Sequence, residues 1–581
     1  MKYLSPTYFI NKKMNINHLS IRPAKLAKYF VICIHILIIG TLNAQQVPTK
    51  EVIIEKEYEP IVRESQRIEL LPNFQDTMKV NLNFNYDIKS SVIYGQFKPQ
   101  VIKPVKLTGE PLAPLERAYA LLGLGNYLST IAEFRLNSLR NENYQWFIGV
   151  DQSNSFGSLK DQHKKDVYAG FSNTELTARG KRFFKNAVLE GSILYNYQKN
   201  YYYGYAADPD TISVDSVMNL LPTSKKKADY QYLSKFNSEV SIYSFSTDKT
   251  KLNYNIGISF NHLQAQNKVF EDNFTIKAYI DKYFNAQFLG MQTNIRYINN
   301  EHLLDTTNNF AIDFNPWVGL FGKKWRMQIG LNSTFDEKIS EYYLYPNVQL
   351  HYNIESFFLV PYIEVTGNYQ INNFERIIEE NFYIAPNLAV RPTDNRLTIS
   401  GGMRGMVSSR LGFNLNISYR NIKDQYFYII DTTDLLGRFF NVEYDDLSIL
   451  GIGGELSWKQ SDQLNIIIRA NYFDYNLDSL SHPWHMPKAT IDITARYRMY
   501  DKLTVSADLF YRGERTAKKQ FGDETITLKP IIDINLMGEY QYNRTLGFFL
   551  KINNILNRRH YIWENYQLHR FNVKLGVILL F

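Results

Sequence analysis

The 581-residue chain has a single cysteine, Cys33, and it stands inside the apolar run Tyr29–Gly40. That run follows Lys25 and Lys28 and precedes Leu42-Asn43-Ala44, the order of a secretory signal ending in a small residue. Cleavage after Ala44 removes Cys33, and what remains has no disulfide and no thiolate metal site. Phe30-Val31-Ile32 offers no small residue ahead of Cys33, which argues against a lipoprotein signal. Met14 is an alternative start, and a membrane anchor is the alternative reading of the run, although about a dozen apolar residues is short for a span. An excess of one charge is also lacking. There are 65 Lys/Arg against 57 Asp/Glu, but six of the basic and none of the acidic residues lie in the first 44, so 59 face 57 beyond them. Such a chain has no electrostatic footprint for nucleic acid, and no nucleic-acid partner is expected. Beyond the signal there is no run of 18 apolar residues, which argues against helical membrane spans. Linkers that would divide the chain into several soluble domains are missing. The histidines beyond the signal are scattered, with no nucleophile–histidine–acid arrangement, so the chain reads as a non-enzyme without cofactor or metal.

Aromatics are abundant: 43 Tyr and 37 Phe. From Arg117 onward the chain becomes a series of alternating segments. Leu464, Ile466, Ile468, Ala470 and Tyr472 alternate with Asn465, Ile467, Arg469, Asn471 and Phe473; Leu252–Asn261, Ala489–Met499, Leu503–Arg512 and Leu546–Asn553 read alike. A strand turns successive side chains to opposite faces, so one face suits lipid and the other a polar lumen. A charge facing lipid at mid-membrane costs about 2–4 kcal/mol, which assigns Arg469, Asp492, Arg496, Arg498, Asp508, Arg512, Glu539 and Lys551 to the lumen. They line it either as a selectivity ring or as a mutually neutralising network. About 22 segments can be counted, and the gaps alternate. Arg140–Asn143, Gly322–Lys324, Ser408–Ser409 and Tyr500–Lys502 are short; Asn200–Gln231, Asn373–Thr393, Asn421–Asp446, Tyr475–Pro487, Gly513–Thr527 and Asn554–Leu568 are long. Short periplasmic turns opposite long external loops are the pattern of an outer-membrane barrel. The expected fold is therefore all-β: a transmembrane antiparallel β-barrel of about 22 strands over residues 116–581, with outer-membrane lipid around it.

Residues 45–115 differ. They hold seven of the nineteen prolines, and Glu51–Arg67 is dense in charge. Proline removes ladder donors, so this stretch reads as a proline-rich N-terminal periplasmic arm, with short strands at Lys79–Tyr86 and Ser91–Phe97 at most. Part of it is a candidate to fill the lumen. Residues 1–44 are the signal peptide.

The last segment, FNVKLGVILLF, sets Phe571, Val573, Leu575, Val577, Leu579 and Phe581 on one face and Asn572, Lys574, Gly576, Ile578 and Leu580 on the other. Lys574, Gly576, Leu579 and Phe581 resemble the terminal signal through which bacterial outer-membrane barrels reach their assembly machinery, an implied partner. Asn553-Asn554-Ile555-Leu556-Asn557-Arg558-Arg559-His560-Tyr561 resembles a segment near the end of TonB-dependent receptors, 22-stranded transporters of Gram-negative outer membranes. Asn381–Ser418 and Glu51–Pro72 look like receptor-like barrels of Bacteroidetes. The resemblance implies solute transport across the outer membrane, while residues 45–115 carry no recognisable plug of the kind such receptors have. Transport would then be porin-like or receptor-like; the alternative is a non-transporting scaffold subunit of an outer-membrane assembly or export complex, with a periplasmic or surface lipoprotein as partner.

Three loop features carry chemistry. His482-Pro483-Trp484-His485 reads as a loop-tip aromatic cluster in preference to a metal site. Asp431, Asp434, Glu443, Asp445 and Asp446 form an acidic external loop, solvated or calcium-binding. Asn200–Tyr205 (NYYYGY) is expected to face sugars, a partner or lipid headgroups.

Overall fold

The computed structural model describes residues 116–581 apart from 161–165, 206–227, 246–250, 267–268, 285–286, 302–305, 355–357, 387, 435, 501, 521 and 523. The expectations for the signal and the arm lie outside the described residues. Twenty-two antiparallel strands form one sheet, and its first strand, Ala118–Gly125, pairs with its last, Asn572–Leu580, from Tyr119↔Leu580 to Gly125↔Lys574. The sheet is therefore a closed barrel without edges, the arrangement that lets strands cross lipid with every backbone group paired.

The alternation places the faces as expected. Leu122, Leu124, Val240, Ile417, Ile452 and Leu575 all stand exposed on the outer face. Near the short-turn end the exposed set becomes aromatic: Phe184, Phe245, Trp325, Tyr352, Tyr500, Tyr542 and Phe581. An apolar belt edged by aromatics is the signature of a wall embedded in lipid. The turns at this end are closed by short side chains that accept from the backbone. Asn543 Oδ1 accepts from Thr545 N at 2.9 Å and from Leu546 N at 2.8 Å, and Asn141 Oδ1 accepts from Asn143 N at 2.8 Å.

The closing seam explains one glycine. Gly123 and Gly576 face each other across it, and the Phe549 ring lies over both. A Cβ on Gly576 would stand 1.9 Å from the Leu122 carbonyl oxygen and 2.7 Å from that ring. With Leu121 and Ile578, Phe549 forms a small apolar cluster on the inner face. Glycine is thus a packing requirement at this position.

Strand lengths are uneven. Leu411–Ile430 and Phe440–Lys459 run 20 residues each, about twice what a tilted strand needs to cross a bilayer. The loop expected at Asn421–Asp446 is therefore mostly strand, and only residues 431–439 connect the two. A bulge between Ile422 and Gln425, with Asp424 at φ 53°, shifts the phase of alternation at this level.

Candidate functional site

The inner wall is built by the register of neighbouring strands. Arg469 stands opposite Asp492, Asp508 opposite Thr494 and Asn535, Glu539 opposite Thr504, and Lys551 opposite Lys574. Arg496, Arg498 and Arg512 follow on the same face, so all eight charged candidates lie on the face opposite the exposed belt. Several meet partners: Arg512 Nη2 to Asp492 at 2.7 Å, Arg469 Nε to Glu455 at 2.6 Å, and Thr494 Oγ1 donating to Asp508 at 2.9 Å. Elsewhere on the wall Arg135 bridges Glu133 and Asp151, and Arg296 meets Asp313 at 2.8 Å. Arg496, Arg498, Glu539 and Lys551 have no ion-pair partner within 4.0 Å among the described residues.

Above this wall the long loops build a core. The segment after Leu359–Gln370 contains a seven-residue helix, Phe374–Glu380. Phe374, Ile377 and Ile378 recur at helical spacing and are fully buried. Asn373 caps the helix by accepting from Arg376 N at 3.1 Å. Glu271, from strand Val269–Phe284, accepts from Phe374 N at 2.9 Å and from Asn373 and Asn273 side chains. Glu271 thereby satisfies an N–H group that a helix start leaves without an intrahelical partner. The polar side of the helix is tied down too. Lys235 meets Glu375 and Glu379, and Asn261 donates to Glu375. Tyr426 donates to Glu380 Oε1 at 2.5 Å, and the Tyr428 hydroxyl lies 3.1 Å from both Glu380 Oε2 and the Ile377 carbonyl.

One apolar core joins these pieces: Leu233, Leu263 and Val269 of the wall, the helix, Tyr426, Tyr428 and Phe440 of the long hairpin, and Tyr202 and Tyr566 of two further loops. Counted from Ala118–Gly125, the wall residues belong to the sixth to eighth strands and the hairpin to the fifteenth and sixteenth. Strands so far apart in a ring of twenty-two stand on nearly opposite sides, so a core touching both spans the mouth. Each large apolar side chain buried in it contributes about 1.5–3 kcal/mol. The other face of the hairpin is covered as well, with Phe427, Leu447 and Ile449 packed against Trp484. The loops form a cap.

The loop features all enter this cap. Tyr202 and Tyr203 of NYYYGY are in or against its core, and Tyr203 donates to the Gln567 carbonyl at 3.0 Å, so these rings do not wait at the surface for a sugar. Tyr383 and Tyr566 stack at 3.5 Å with 18° between their planes, and burial holds both hydroxyls well above their ordinary pKa. Trp484 and His485 are buried and do not sit at a loop tip; His485 Nδ1 is 3.0 Å from the Tyr428 carbonyl, and burial pushes its pKa down to about 4. The five acidic residues serve as internal fasteners in place of a solvated loop. Asp445 accepts from Ser479 N and Leu480 N, Asp446 from Asp424 N, Asp431 from Thr433 N, Asp434 from Arg438, and Glu443 from Lys518. Glu564, which the sequence did not single out, is buried with Oε2 unpartnered among the described residues, and burial raises its pKa to about 8. A partly enclosed cavity of about 260 Å³ lies between the helix, the hairpin around Trp563 and the inner wall at Lys235.

No family model matches the sequence, and no curated protein matches it. Solved structures do. The chain is similar to a variant of the ferric enterobactin receptor PfeA from Pseudomonas aeruginosa, at 10% identity over 80% of each chain with a TM-score of 0.60. It is similar to the siderophore receptor PirA from Acinetobacter baumannii, at 11% identity over 80% of each chain with a TM-score of 0.61. The ferric-catecholate import receptor Fiu from K12 E. coli aligns at 11% identity over 81% of this chain and 82% of that one, with a TM-score of 0.60. At such identities the likeness shows the fold alone: a closed 22-stranded barrel.

Proposed function

We propose that this protein is a TonB-dependent receptor-like barrel of the outer membrane that passes a solute across it, and that its loop cap is the gate. The observation that carries this reading is the core joining opposite walls above a charged lumen. A 22-stranded wall encloses a wide interior, which must be filled or it leaks. Here one apolar core of loop residues spans the mouth. A barrel serving only as a scaffold has no need of a charged inner face beneath a cap. The eight inner-wall charges are assigned to the path of the solute, and Lys574, Gly576, Leu579 and Phe581 to recognition by the barrel assembly machinery. Kinship with Bacteroidetes receptors, a lumen without a separate plug, the periplasmic arm at residues 45–115, a lipoprotein partner and the absence of catalysis complete the reading.

Ion conductance in a planar bilayer tests it. The mature protein, a form lacking residues 45–115, and a form with residues 371–392 replaced by a short linker are compared. The reading expects silence from the mature protein and large steady currents when residues 371–392 are removed. Currents only on removal of 45–115 would make the arm the gate. Silence from all three would remove support for transport and favour the scaffold, to be pursued by isolation of bound partners.

A further inference from the structure

The cavity beneath the helix has a definite chemistry. Tyr383, Trp563 and Tyr566 present aromatic walls, and Glu379 and Glu380 stand at its polar side with Lys235. Among the described residues Lys235 is the one cation on its lining, and it is occupied by Glu375 and Glu379. Among them an anion therefore finds no free positive partner. Both oxygens of Glu380 are taken by Tyr426 and Tyr428. The Glu379 side chain remains half exposed, at 50%, and one of its oxygens faces no partner among the described residues. A ligand entering this cavity meets aromatic side chains and the one Glu379 oxygen that Lys235 does not engage. Ring faces carry negative quadrupole density and attract cations, most strongly where water is excluded. The volume, about 260 Å³, is at the small end of ligand sites.

We propose that this cavity binds a small organic cation, held by the Glu379 carboxylate and by the faces of Trp563 and its neighbouring tyrosines. Its role as a station in passage rests on the transport reading; the binding itself does not. The test is titration of the full mature protein in detergent with choline, followed by calorimetry and by tryptophan fluorescence, with glucose and acetate as the neutral and anionic probes. Choline is expected to bind saturably and to change the fluorescence, while glucose and acetate do neither. Glu379→Gln is expected to weaken choline about tenfold, the loss of roughly one charge-assisted contact. Trp563→Phe is expected to abolish the fluorescence change while retaining weaker calorimetric binding. Glu379→Asp, which keeps the charge, is expected to retain most of the affinity. Unchanged thermal unfolding by circular dichroism identifies the variants as folded. Binding of glucose or acetate as tight as that of choline, no binding of any probe, or choline binding indifferent to Glu379→Gln would each overturn the proposal. None of these outcomes touches the conductance experiment, so the transport reading stands or falls separately.

Discussion

The wall and the cap are made by different rules. In the wall each strand needs only its two neighbours, and its side chains follow a period of two set by the backbone. In the cap, residues from Tyr202 to Tyr566 meet in one core, and both faces of the long hairpin are buried. The wall is a local pattern repeated, whereas the cap is a tertiary structure assembled on top of it. Any change to the wall's seam should thus be felt by the whole molecule, and a change to the cap by the cap alone.

The largest effect is expected at the seam. Gly576→Val places side-chain atoms into the Leu122 carbonyl and the Phe549 ring, and should prevent closure. The yield of assembled barrel in the outer-membrane fraction is the measurement; a normal yield would show that the seam tolerates a shift. Next comes Phe374→Ala, which empties a fully buried site in the cap and should cost about 3–5 kcal/mol there. Steady conductance should appear, while thermal unfolding of the barrel stays unchanged. If the barrel melts earlier instead, wall and cap are one cooperative unit and the contrast fails.

A smaller effect is expected from pH. Glu564 keeps its proton in the folded cap up to about pH 8, whereas a glutamate in water ordinarily loses it near 4.5. Its contribution is complete below the lower value and is lost as pH rises through the higher one. His485, lowered from 6.5 to about 4, works in the opposite direction and only below 6.5. Between pH 6.5 and 8 Glu564 by itself should therefore cost the cap about 2 kcal/mol, at roughly 1.4 kcal/mol per pH unit. Hydrogen exchange at Tyr561–Gln567 should quicken over that range, and Glu564→Gln should flatten the dependence. The smallest effect is expected on the inner wall. Arg512→Ala removes a partly exposed pair with Asp492 and should cost at most about 1 kcal/mol. In a barrel opened by removal of residues 371–392 it should nevertheless shift the reversal potential toward cation selectivity.

Much of the wall is legible in the residues. The outward Leu575 and the inward Lys574 follow from alternation, and the strand number follows from counting alternating segments between short and long gaps. Asn421–Asp446 reads as a loop because Tyr426-Phe427-Tyr428-Ile429-Ile430 is apolar on both faces, which suits neither lipid against lumen nor water. The bulge at Lys423–Asp424 also breaks the phase. Its true setting, with a helix on one side and Trp484 on the other, comes from segments elsewhere in the chain.

The same division holds for the chemistry. Which charges face inward is a matter of parity along a strand, and the sequence by itself determines it. Whether Asp445 holds a loop or a metal ion, whether NYYYGY meets a sugar or a core, and whether Glu271 faces water or caps a helix depend on contacts between residues far apart in sequence. Only the tertiary structure decides those, because burial and partner distance, unlike side-chain direction, are not properties of a local segment.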